Sequence, residues 1–71
     1  MAIYYNVYFY LKGSRSIHRK ATIKDAAVIT GNWDLDPQTK FIAFNFEHPE
    51  SAPVAINLDI LEYIDFRKVE L

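Results

Sequence analysis

The chain opens on a strict two-residue alternation. Ile3, Tyr5, Val7, Phe9 and Leu11 fall on one side, and Tyr4, Asn6, Tyr8 and Tyr10 on the other. Successive side chains of a strand point to opposite faces, so this pattern predicts a strand with a core side and a tyrosine side. Lys12-Gly13-Ser14-Arg15 reads as a turn, with Gly13 free to adopt positive φ. Alternation then resumes. Ile17, Arg19, Ala21 and Ile23 share one side, and His18, Lys20, Thr22 and Lys24 the other, which predicts a hairpin.

Residues 22–31 support two readings. Thr22 followed by Asp25 suits the start of a helix that stops at Gly31. Val28, Ile29 and Thr30 are β-branched and favour a bent strand, broken near Asp25-Ala26. The second reading is the expected one, with a short helix near 22–30 as the alternative. Asp34 to Thr39 reads as a turn around Pro37. Strands are expected over Phe41–Glu47, with Ile42, Phe44 and Phe46 on one face, over Val54–Leu58, and over Glu62–Val69, with Ile64 and Phe66 inward. A loop at His48–Pro53 and a tight turn at Asp59–Leu61 separate them. Ile and Val together number 12 against 5 Leu, which favours strands over helices. The expectation is an all-β fold in which five short strands form a single domain over 1–71, a small SH3-like or Sm-like barrel whose closure removes exposed edges. A helix near 22–30 makes the fold α+β instead.

Two stretches resemble the Sm-like barrel family. Val28 to Asp36 is similar to that family's bent second strand, which carries a glycine and then an aspartate. Pro53 to Ile64 looks like the strand, one-turn helix, strand ending common to SH3-like barrels. The resemblance covers roughly residues 20–66 as a pattern. The interval from Gly31 to Asp36 is one residue short of the Sm pattern. The Met-Asn pair after the aspartate, the Arg-Gly of the second motif and the N-terminal helix are absent. The resemblance therefore implies the fold and transfers no RNA-binding residues.

With 71 residues the chain has room for one small domain, whose folding buries only about 60% of the surface exposed when unfolded. The hydrophobic fraction of 51% is that of a globular protein. Without cysteine there is no disulfide and no Cys-based metal site. The apolar start is interrupted at Asn6 and lacks preceding basic residues, so no secretory leader is expected, and no apolar run is long enough to span a bilayer. A cytoplasmic protein without membrane association is the expectation.

The net charge of −1 hides a division. Lys12, Arg15, Arg19, Lys20 and Lys24 all precede the first acid, Asp25, whereas the remainder of the chain is acidic. Basic groups interleaved with aromatic rings suit stacked bases and phosphates. Arg15, His18, Arg19, Lys20, Lys24, Tyr8 and Tyr10 are thus the candidate ligand-binding residues, for nucleic acid or a nucleotide. Tyr4, Tyr8, Tyr10 and Trp33 are the candidate interface of a homo-oligomer, since tyrosine is enriched at interfaces and so small a core gains from association. The leading expectation is a non-enzymatic binding protein. The alternative is a small inhibitor of phage type that docks on a host protein, its acidic residues mimicking nucleic acid.

Catalytic and cofactor chemistry finds no foothold. Asp34-Leu35-Asp36 begins like a calcium loop, but its sixth position is Thr39 and its twelfth Asn45. His18 and His48 stand far apart, no serine lies in a nucleophile elbow, and two glycines do not build a phosphate-cradling loop. No catalytic residue, metal or cofactor is expected.

Overall fold

The computed structural model describes residues 3–33 and 35–70. Asp34, part of the expected turn and of the acidic set, lies outside the described residues. In chain order the elements are β1 (Ile3–Leu11), β2 (Arg15–Ala21), α1 (Ile23–Gly31), β3 (Phe41–Phe44), β4 (Val54–Asn57) and β5 (Leu61–Glu70).

The expected hairpin forms. β1 pairs antiparallel with β2 from Tyr5–Ala21 to Leu11–Arg15, and Gly13 and Ser14 turn the chain at φ 83° and 62°. β1 is also the centre of a sheet ordered β2-β1-β5, in which Val7 faces Phe66 and Phe9 faces Ile64 on the second neighbour. A register shift between Tyr10 and Leu11 leaves Glu62 as an extra residue on β5. Among the described residues β3 and β4 pair only with each other, with Ile42 opposite Ile56 and Phe44 opposite Val54.

The two sheets remain separate, so the expected five-stranded barrel is corrected to a mainly β fold with one helix. Of the segment Val28 to Asp36 that resembled a bent Sm strand, Val28–Gly31 is instead the end of α1. The helix takes hold at its N-terminus, where Thr22 and Asp25 form a complete capping box. The Thr30 hydroxyl bonds back to the carbonyls of Ala26 and Ala27 at 3.0 Å, which suits a threonine inside a helix. Ala26 and Ile29 are buried, while Ile23 and Val28 are more than half exposed.

The odd-numbered face of β1 supplies Val7, Phe9 and Leu11 to the core, joined by Ala21, Ile29, Ile42, Phe44 and Ile56. The Phe9 and Phe44 rings meet at 5.4 Å between the two sheets. Phe46, Ile64 and Phe66 pack on this cluster as expected. The helix and the β3-β4 ribbon therefore lie on one face of the three-stranded sheet. The tyrosine face lies outside the core.

Candidate ligand-binding face

The register sets which side chains share the outer face. Tyr8 lies opposite His18 on β2 and Asp65 on β5, and Tyr10 lies opposite Ser16 and Tyr63. Directly opposed residues in an antiparallel pair stand close enough for their rings to touch. Tyr8 and His18 stack at 4.8 Å between centroids, and Tyr10 and Tyr63 at 4.5 Å. Tyr8 and Tyr10 are nearly parallel at 6.2 Å. The Arg67 guanidinium covers the Tyr8 ring at 4.7 Å, a cation–π contact, and donates to Asp65 at 2.9 Å. The result is an aromatic band running from His18 through Tyr8 and Tyr10 to Tyr63.

Polar contacts hold this band in place. His18 Nε2 and Asn6 Oδ1 are 2.8 Å apart, which orients the imidazole beside Tyr8. At the other end Tyr4 meets the His48 ring at 5.9 Å, and the Lys20 ammonium sits 5.8 Å from the Tyr4 centroid. Lys20 also pairs with Glu50. That hydrogen bond and charge raise the Lys20 pKa and lower that of Glu50. The hydrogen bond that Arg67 donates to Asp65 raises the Arg67 pKa, helped by Tyr10.

A groove of about 440 Å³ adjoins the band at the hairpin end, lined among others by Tyr10, Tyr63, Ser14, Arg15, Ser16 and Glu62. Ser16 faces Tyr10 across β1 and β2, so Tyr10 has a ring on its β5 side and only a small hydroxyl on its β2 side. A flat ring entering there has an aromatic wall to lie against, and Arg15, opposite Leu11 at the start of β2, lines the same groove at the turn.

The structure divides the seven candidate ligand residues. Tyr8, Tyr10, His18 and Lys20 share the outer face, and Arg15 lines the groove next to Tyr10. Arg19 points the other way, donating to the carbonyls of Ala52 at 3.0 Å and His18 at 2.8 Å. Lys24 is on α1, 3.2 Å from Glu47. The charge division along the chain thus does not persist in space, because Lys20 and Lys24 meet acids of the later half. Of the four candidate interface residues, the three tyrosines lie on the outer face. Trp33 lies off that face, lining a cleft with Leu58, Leu61 and Phe66 whose rim includes Glu62 and Tyr63. Sequence reasoning missed Tyr63 and Arg67. Both alternate with the inward Ile64 and Phe66, a signal that becomes useful only once β5 is known to pair with β1.

No helix among the described residues is long and apolar enough to cross a membrane. The chain matches no family model, no curated protein and no solved structure.

Proposed function

We propose that the chain is a non-enzymatic binding protein whose outer sheet face takes a single-stranded nucleic acid or nucleotide. The observation that carries this reading is the band His18–Tyr8–Tyr10–Tyr63, with Arg67 over Tyr8 and a groove holding Arg15 at its end. Proteins that bind single strands combine aromatic platforms with a few cations that follow the phosphates. Tyr10 and Tyr63 are the stacking residues, and Arg15 and Arg67 meet phosphate. With Lys20 and Arg67 each already beside a carboxylate, stacking supplies more of the affinity than charge does.

The test is an anisotropy titration with labelled pyrimidine and purine oligonucleotides at low salt, together with free nucleotides. Tyr10→Ser is expected to weaken binding about tenfold, in line with the cost of losing one stacked base, and Arg15→Glu to weaken it about tenfold by replacing a phosphate contact with a like charge, more so at low salt. Absence of binding by the wild-type chain at low salt overturns the reading.

The same pairing of cations with carboxylates favours a second reading, a tyrosine-rich surface that docks on a protein. A stoichiometric protein partner that survives nuclease treatment, and is lost with Tyr10→Ser, separates it from the first.

A further inference from the structure

The two outer edges of the three-stranded sheet are treated differently. The β2 edge is covered by the loop after His48. Arg19 donates to the Ala52 carbonyl, the Ser51 hydroxyl donates to the Lys20 carbonyl, and Lys20 pairs with Glu50. The β5 edge has no such cover. Its strand Leu61–Glu70 pairs with β1 alone, and among the described residues no backbone hydrogen bond reaches positions 62–70 from any other segment. An edge of this kind presents a row of free N–H and C=O groups and invites another strand. It also borders a cleft of about 400 Å³ lined by the apolar side chains of Trp33, Leu58, Leu61, Ile64 and Phe66 together with Glu62 and Tyr63. Beside it Trp33 is 48% exposed and Tyr63 56%.

The charge order on β5 selects what fits there. When a strand pairs antiparallel with its own copy in one continuous sheet, opposed residues lie on the same face. Three registers bring the middle of β5 against itself. One centred on Asp65 opposes two carboxylates, and one centred on Arg67 opposes two guanidinium groups. The register centred on Phe66 places Asp65 of each copy opposite Arg67 of the other and Tyr63 opposite Val69. It also pairs Glu62–Glu70 throughout and leaves only Leu61 of the strand beyond the paired segment. Ile64 then faces Lys68, whose aliphatic stem lies along it. The Glu62–Glu70 pairs fall at the two ends, where solvent screens them.

We propose that the chain forms a homodimer by antiparallel pairing of β5 with β5 of a second copy, centred on Phe66, which joins two three-stranded sheets into one of six. Asp65 and Arg67, already bonded within one copy, then exchange partners across the join. The two aromatic bands become parts of one face, and the two Trp33 clefts flank the seam. The dimer does not depend on the nucleic-acid reading, and its readout is mass.

Sedimentation equilibrium of the full chain over a concentration series tests this, with circular dichroism to verify folding. The wild type is expected to reach twice the 8.3 kDa chain mass. Asp65→Arg alone and Arg67→Asp alone each place like charges across the join, and each is expected to weaken self-association at least about tenfold. An equal mixture of the two, or the double exchange in one chain, restores the dimer. Should a variant not fold, amide exchange of the wild type takes its place, with alternate amides of 62–70 gaining protection as concentration rises. The proposal is overturned by a wild type that stays monomeric up to about 0.5 mM, a weak affinity by any standard. It is also overturned by single variants that dimerise as well as the wild type, by failure of the mixture to recover, or by concentration-independent exchange.

Discussion

The Asp25 side chain is only 4% exposed and yet carries a charge, because backbone donors converge on it. Its carboxylate accepts from the N–H of Thr22 at 3.0 Å, Glu47 at 2.8 Å and His48 at 3.2 Å. Burial by itself pushes its pKa up, but the bonds from Glu47, Thr22 and His48 outweigh burial and hold it below the usual carboxylate value. A group whose pKa falls on folding adds stability that is complete above its unfolded value, near 4, and fades as pH drops through the folded one. Asp25→Asn offers an amide to three N–H donors and is expected to cost about 2 kcal/mol in urea unfolding at pH 7. The gap between wild type and variant is expected to narrow below about pH 4, and a gap that stays constant down to pH 2 contradicts this account. The Thr22-x-x-Asp25 half of this arrangement was legible in the sequence as a capping box. The loop N–H groups that Asp25 also holds come from residues 22 and 23 positions away, and no local pattern announces them.

At the scale of elements, β1, the hairpin turn and the inward faces of β3 and β5 were readable because residues two apart share a strand face, which groups Ile42 with Phe44 and Ile64 with Phe66. The helix was misjudged because Val28-Ile29-Thr30 is intrinsically strand-forming, and intrinsic preference yields to capping and packing. Once Asp25 fixes the first turn, Ala26 and Ile29 fall on the buried side, and the exposed Val28 costs little. Gly31, read as the stop, is in fact the last helical residue, and the cap is Asn32, whose N–H donates to the Ile29 carbonyl at 3.3 Å. An added Cβ at Gly31 meets nothing within 4 Å. Gly31→Ala is therefore expected to raise stability by about 0.5–1 kcal/mol, seen as a higher melting temperature. Gly13 behaves in the opposite way. A Cβ there also has room, its nearest neighbour being Arg15 Nε at 3.9 Å, but φ is 83°. Gly13→Ala is expected to cost about 1–2 kcal/mol from backbone strain alone, measured by the same melts.

For the whole molecule, the division that matters is between the two faces of one sheet. Most of the binding face was legible in the sequence, since Tyr4, Tyr8, Tyr10, His18 and Lys20 alternate with core residues. Tyr63 and Arg67 were hidden because their place depends on β5 returning beside β1. The barrel was expected because closure is one way to dispose of edges. Here the core is instead closed by a helix and a separate ribbon, which leaves one sheet face outside it. Adjacent residues of β1 should therefore respond very differently to truncation. A chain of this length has a total stability of roughly 4–10 kcal/mol. Phe9 is fully buried and packs on Phe44, so Phe9→Ala is expected to cost about 3–5 kcal/mol, from about a third of that total to all of it. Tyr10, one position on, contributes its stacks with Tyr63 and Tyr8 on the outer face, and Tyr10→Ser is expected to cost about 1–2 kcal/mol. Urea unfolding of both variants measures the contrast. Comparable losses at the two positions would mean that the tyrosine face is part of the core, and would withdraw the surface on which binding is proposed.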